Sequence, residues 1–219
     1  MNSGDFVYIE YVGKISDSGE VFDTTKEEIA REAGIFNKRV KYGPLPVVVD
    51  GGFIISGLNE AIKGMEVGEK KKVLIPPEKA FGERNEDLVK LIPEARFKEQ
   101  GVEIIPGSYV LVNNLRGKII SVDGGRVKVD FNHPLAGKSL EYEIEIVKKV
   151  ENEEEKVKAI IDYFTGLEDV KIKLNEKEVE IELKVDVDFK IKSAISSQLI
   201  KWIKDIETVK FVEVFKKGE

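Results

Sequence analysis

The chain has 219 residues, a formal charge of −6, 42% hydrophobic residues and 35% charged residues. That apolar share supports a packed core and excludes a disordered chain, and the length allows one or two domains with room for a small extra unit. The negative charge argues against non-specific binding to nucleic acid or anionic lipid. Lacking cysteine, the chain has neither a disulfide framework nor thiol chemistry. Its single histidine, His133, excludes a histidine-cluster metal site.

Lys and Glu dominate the charges, while Met is scarce and the only glutamines are Gln100 and Gln198. This profile fits the cytosol of a hyperthermophile. The opening MNSGDFVYIEYVG reads as an amphipathic strand, not a signal peptide. No run approaches the roughly 18 apolar residues of a membrane span. A cytoplasmic protein without membrane or nucleic-acid partners is expected.

In chain order, Phe6 to Val12 reads as a strand, with a change of direction expected at Gly13 and hairpin chemistry at Asp17-Ser18-Gly19. Glu20 to Thr25 reads as a second strand. Thr24 with Glu27 and Thr25 with Glu28 both fit a capping box for a helix over Lys26 to Glu32. Tyr42-Gly43-Pro44-Leu45-Pro46 is a rigid connector before the strand Val47 to Val49.

The most informative stretch is Gly51 to Gly82. It holds an apolar run Phe53-Ile54-Ile55, a short helix from Leu58 to Lys63 with Gly64 as its C-terminal stop, and the strand Lys71 to Ile75. The diproline Pro76-Pro77 ends that strand, because proline donates no ladder hydrogen bond. Ala80-Phe81-Gly82 then puts one aromatic on a loop. The stretch has no nucleophile–base pair, metal spacing or phosphate loop. It predicts a concave apolar pocket that binds non-covalently.

Beyond Gly82, a strand is predicted over Leu88 to Pro93, a helix over Glu94 to Gln100, and short β segments over Glu103-Ile104-Ile105, Ser108 to Val112, Gly117 to Val122 and Arg126 to Phe131. Leu140 to Val150 alternates strongly and would pair with the N-terminal strands. Past the acidic run Glu153-Glu154-Glu155, the pattern is helix, strand, strand, helix, strand. The second strand reads as a long alternation from Glu178 to Phe189, and the last runs from Val209 to Phe215. Trp202 lies off the Ile195–Leu199–Ile203 stripe and reads as an exposed partner anchor. The long alternating strand could pair with its own copy in a homodimer.

The order Ile-x-Gly-Leu, helix, Gly-Met-x-x-Gly-Glu, strand, Pro-Pro-x-x-Ala-Phe-Gly resembles the FK506-binding-protein family of peptidyl-prolyl isomerases. With further chain directly after it, and the run Asn132-His133-Pro134-Leu135-Ala136-Gly137, it is similar to the SlyD-like branch and its archaeal relatives. The resemblance covers about residues 5–150. It implies an α+β fold: an antiparallel β half-barrel wrapped on a short helix over 1–82 and 132–151, with a small β-rich inserted domain over 83–131. The remaining 152–219 then form a two-layer α+β domain, a candidate for dimerisation.

The resemblance further implies isomerisation of X-Pro bonds in unfolded or partly folded polypeptides, without cofactor or metal. Asp23, Ile55, Phe81 and Tyr142 occupy the catalytic positions, with Asp23 against the carbonyl of the twisting bond. Tyr11, Phe22, Leu45, Ile54, Leu58 and Leu135 occupy substrate-binding positions. In SlyD-like relatives the insert binds unfolded chains, which makes Leu91, Ile92, Phe97, Val110 and Val112 the candidate client contacts. Phe81 stands where relatives carry a tyrosine hydroxyl, so a proline-binding holdase with little turnover is the alternative. Taken without the resemblance, Tyr11, Phe22 and Tyr142 read equally as core strand residues, and Asp23 as a helix-starting cap.

Overall fold

The structure is a computed structural model that describes residues 1–214. It is a mixed α+β, strand-rich fold in two compact units, Met1–Ile75 with the chain from Ser139 onward, and Pro76–Lys138. Phe215, the expected end of the last strand, lies outside the described residues.

The first unit is built on two long strands, β1 (Phe6–Ile15) and β9 (Leu140–Val150). They pair antiparallel along their whole length, from Phe6 opposite Val150 to Ile15 opposite Leu140. The other edge of β1 is shared by two short strands. β2 (Val21–Thr24) takes its C-terminal half and β3 (Leu45–Val48) its N-terminal half. Pro46 lies in β3 opposite Tyr8 and is tolerated because β3 pairs with β1 alone. β4 (Lys70–Ile75) pairs with the far edge of β9, giving a five-stranded sheet. The direction change expected at Gly13 does not occur there, since β1 continues to Ile15.

Helix α1 (Glu27–Glu32) forms as its sequence suggests, but neither threonine caps it: Lys26 is the N-cap and has no side-chain cap. Both hydroxyls turn back to β1 instead. Thr24 Oγ1 donates to the Tyr11 carbonyl at 2.8 Å, and Thr25 Oγ1 accepts the Tyr11 N–H at 2.9 Å. A buried strand backbone needs these partners more than a solvated helix end does. Helix α2 (Ser56–Ile62) buries Leu58, Ala61 and Ile62, and ends before Gly64, whose φ is +76°. A Cβ at Gly57 would lie 2.3 Å from Ile75 Cγ2, so the missing side chain lets α2 sit down on β4.

The chain after Val150 belongs to the same unit. Asn152 caps α4 (Glu153–Thr165) through the Glu155 N–H at 3.2 Å, and Gly166 in the left-handed conformation ends it. Tyr163 donates its hydroxyl to the Phe53 carbonyl at 2.6 Å, and the two rings meet edge-on at 4.5 Å. Lys41 bridges Asp162 and Glu168 at 2.6 and 2.7 Å.

A three-stranded sheet follows, in the order β10 (Lys171–Asn175), β11 (Glu178–Glu182), β12 (Thr208–Val212). The strand expected to run to Phe189 stops at Glu182, and α5 (Phe189–Trp202) begins where it was to end. Asp188 caps that helix through the Lys190 N–H at 2.7 Å. Because β11 and β12 are parallel, a crossover is required, and helical spacing overrides the alternation near Phe189. Two further expectations fail here. β11 is central and has no free edge to pair with a copy of itself. Trp202 is half-buried, with Gly4 against its ring and its indole N–H donating to Gln198 at 2.9 Å.

The second unit is a four-stranded antiparallel sheet in the order β5 (Val89–Pro93), β8 (Arg126–Asp130), β7 (Leu115–Asp123), β6 (Tyr109–Val112), with α3 (Glu94–Glu99) on it. The expected β segment at Glu103-Ile104-Ile105 is irregular. Its core is Ile92, Phe97, Val110, Ile119, Val127 and Val129, with Val112 partly buried against it. Three of the candidate client residues, Ile92, Phe97 and Val110, are therefore the unit's own core, since their strand and helix faces point inward. Leu91, one position from Ile92 on the opposite face, is exposed.

Candidate functional site

Gly13 lies in β1 opposite Asp23 on one side and opposite Tyr142 on the other. A Cβ there would come within 2.9 Å of both Phe22 Cζ and Tyr142 Cε1. The glycine therefore leaves room for two rings from the flanking strands to meet across β1. Phe22 and Tyr142 pack edge-on at 5.8 Å between centroids, and Tyr11 meets Tyr142 edge-on at 5.6 Å. These arrangements suit the ring quadrupoles. Tyr142, only 4% exposed, is the centre of the aromatic group.

The Tyr11 hydroxyl donates to Asp23 Oδ2 at 2.7 Å. Burial, and then the Asp23 carboxylate, hold both the Tyr11 and Tyr142 phenols above the ordinary tyrosine range. The phenols therefore remain neutral donors. Tyr11 is fixed at its backbone as well. Beyond the threonine hydroxyl contacts, the Thr25 N–H donates to its carbonyl at 3.1 Å. With β1 and β2 locked in this way, Phe22, Asp23 and Tyr11 face the same site.

Ile54, Ile55 and Leu58 come from the entry to α2. Ile55 is its N-cap residue, with its carbonyl accepting the Asn59 N–H at 3.0 Å, and Leu58 is buried in its first turn. Asn59 in turn holds the preceding turn, where its side chain accepts the Asp50 N–H at 2.8 Å and donates to the Asp50 carboxylate at 2.6 Å. Leu45 lies on β3 opposite Ile9 and is half-buried.

The structure thus brings Tyr11, Phe22, Asp23 and Tyr142 into one constellation by direct contact. Phe81 and Leu135 belong to the second unit. There Phe81 stacks face to face on His133, with centroids 4.3 Å apart and planes 5° from parallel. His133 Nδ1 also accepts the Leu135 N–H at 3.2 Å.

Sequence reasoning missed Gly13, Thr24 and Thr25. A glycine inside an otherwise alternating strand was the available signal for the first. For His133, nothing in the sequence signals the stack.

Among the described residues, no group of three or more His, Cys, Asp or Glu is placed to hold a metal ion. No described helix is long and apolar enough to cross a membrane. The site offers aromatic and aliphatic surface, one carboxylate and neutral phenols. Such a set can grip and orient a substrate through shape and hydrogen bonding.

The chain is 40% identical over 146 residues to the short-type peptidyl-prolyl cis-trans isomerase of Methanocaldococcus jannaschii, covering 67% of this chain and 92% of that one. It is 36% identical over 109 residues to a probable FKBP-type 16 kDa peptidyl-prolyl cis-trans isomerase of Pseudomonas fluorescens, covering 48% of this chain and 71% of the relative. The FKBP-type isomerase SlyD of Vibrio cholerae is 41% identical over 109 residues, with 48% and 53% covered. Two family models match parts of the chain: the FKBP26 IF domain over residues 90–135, and the FKBP26 C-terminal region over 153–216. The chain belongs to the FKBP-type peptidyl-prolyl cis-trans isomerases, in the group that holds the SlyD-like and archaeal enzymes.

Proposed function

We propose that the chain accelerates X-Pro bond rotation in folding polypeptides by gripping the twisted amide without covalent chemistry. The barrier, about 18–20 kcal/mol in an ordinary peptide bond, comes from amide resonance. A twisted amide has lost that resonance and much of its polarity, so an apolar aromatic site favours it over the planar form. The observation that carries this reading is the packing of Tyr11 and Phe22 on Tyr142, made possible by Gly13, with the Tyr11 hydroxyl on Asp23. Tyr142 and Phe22 wall the proline ring. Asp23, held by the Tyr11 hydroxyl, lies against the carbonyl of the rotating bond. The N–H of Ile55 receives a substrate carbonyl, and Leu58 forms the floor with Ile54 and Leu45 beside it. The positions of Phe81 and Leu135 in this scheme rest on the family resemblance.

The same reading divides the chain into an isomerase domain over 1–82 and 132–151, a client-capturing domain over 83–131, and a C-terminal domain over 152–219. Client contact falls to exposed residues such as Leu91 and Leu111, because Ile92, Phe97 and Val110 are buried. Val112, at the end of β6, is partly open. A homodimer through 152–219 would use β10, β12 or the exposed Phe189 and Ile200; a monomeric mass in light scattering excludes it.

A proline-limited refolding assay tests the central reading on the intact chain, on a variant lacking 84–130, and on Phe22→Ala. Acceleration that falls about tenfold in Phe22→Ala supports it. One observation favours a second reading, a holdase with little turnover: Phe81 has no hydroxyl to donate, and its face is taken up by His133. Suppressed aggregation with no acceleration by the intact chain selects that reading.

A further inference from the structure

The sheet of the second unit differs from the others in what stands opposite its cations. In β10–β11, Lys171 pairs with Glu182 and Lys173 with Glu180, each directly across the ladder and each at 2.7 Å. In β4–β9, Lys70 faces Glu145 and reaches it at 3.2 Å. In the second unit, Lys128 stands opposite Leu91, Lys118 opposite Tyr109, and Arg116 opposite Leu111. All six side chains share the face turned away from the core, because directly opposed residues of an antiparallel pair project the same way. Leu111 is 69% exposed, Leu91 61% and Tyr109 44%.

Among the described residues, none of these three cations makes an ion pair. The Arg116 guanidinium lies over the Tyr109 ring at 4.0 Å from its centroid. Two acids border the face. Asp130, across from Lys118, is taken by Arg84 at 2.9 Å, and Asp123 lies across from Arg126 at the hairpin end.

We propose that this face selects extended, unstructured polypeptide segments in which acidic residues flank apolar ones. The inference rests on the reading of the second unit as a client-capturing domain and names the chemistry of its clients. Leu91, Leu111 and Tyr109 offer apolar surface on a solvated sheet face, the usual mark of an interaction site. Unpaired cations set between them attract carboxylates and repel basic segments, so they contribute discrimination more than affinity. Arg116 is pre-oriented on Tyr109, which leaves its guanidinium edge for a bidentate carboxylate. Single-stranded nucleic acid is the less suitable occupant. It needs successive aromatic platforms, and this face has one aromatic among aliphatic side chains.

The test uses the full chain and fluorescence anisotropy with three proline-free peptides. They share one apolar centre and are flanked by Glu, by Gln or by Lys. At low salt the Glu-flanked peptide is expected to bind about fivefold to tenfold tighter than the Lys-flanked one, with the difference shrinking as salt rises. The triple variant R116Q/K118Q/K128Q should erase the preference. It should leave the affinity for the Gln-flanked peptide and the isomerisation of a short proline peptide unchanged. Equal affinities in the parent, or a preference that survives in the triple variant, overturn the proposal. Failure of all three peptides to bind removes the client-capturing reading itself. Tighter binding of a single-stranded oligonucleotide than of the Glu-flanked peptide overturns the proposal in favour of nucleic acid.

Discussion

The C-terminal sheet and the sheet of the second unit are both small, strand-rich and rich in lysine, yet they treat their surfaces in opposite ways. In the first, Glu180 and Glu182 stand across from Lys173 and Lys171, and the sheet closes its charges on itself. In the second, the positions across from Arg116, Lys118 and Lys128 are filled by Leu111, Tyr109 and Leu91. Exposed ion pairs contribute little to stability, so the difference lies in what each surface leaves available to another molecule. Neutralised cations make a quiet surface; unpaired cations among exposed leucines leave the proposed face open to a partner.

The strongest test of that contrast is the core beneath the open face. Phe97 is 3% exposed, and Phe97→Ala is expected to cost about 3–5 kcal/mol, a large share for a core so small. Amide exchange should show protection lost across Pro76–Lys138 first. Equal loss in the C-terminal sheet would break the contrast between an independently marginal region and a consolidated one.

Next in size is Phe22→Ala, which removes the edge-on contact with Tyr142 in the first unit. A loss of about 1.4 kcal/mol in transition-state binding corresponds to roughly tenfold in kcat/KM. Peptide capture by the second unit should be unchanged, as anisotropy can show.

A smaller effect is expected from pH. In the folded chain, burial keeps the Tyr11 and Tyr142 phenols protonated above their ordinary value of 10.0. An unfolded chain releases those protons near 10, so above that pH the folded state holds more protons and stability falls as pH rises. Urea midpoints measured from neutral to strongly alkaline pH should decline above 10, with a shallower slope in Tyr11→Phe.

The smallest effect should come from the ladders themselves. Lys173→Gln is expected to move Tm by about a degree at most. Leu111→Glu would give the second sheet the carboxylate it lacks opposite Arg116; stability should hardly change, while the Glu-flanked peptide loses its advantage. A large change in Tm from either substitution would show that these charges serve the fold.

Much of this was legible in the sequence. Alternation placed β1, β4, β8 and β9 within a residue or three, and the Asn152 cap with Gly166 bounds the helix expected at the acidic run. The candidate site residues on β2, α2 and β9 come from the family resemblance; local pattern alone reads Phe22 and Tyr142 equally as core strand residues. Reading failed where one local signal served two masters. Thr24 and Thr25 fit a capping box, yet a buried carbonyl and N–H on Tyr11 claim their hydroxyls. The alternation from Glu178 to Phe189 fits a strand, yet the parallel return to β12 requires a helix from Phe189.

By itself, then, the sequence determined which residues alternate, which turns they allow and which chemistry is excluded, since these depend on local sterics and side-chain type. Only the tertiary structure decided that Gly13 sits between two rings, that Ile92 is core while Leu91 is surface, and that three cations face leucine and tyrosine in place of glutamate. Those outcomes depend on strand register, which pairs residues far apart in the chain and so leaves no local trace.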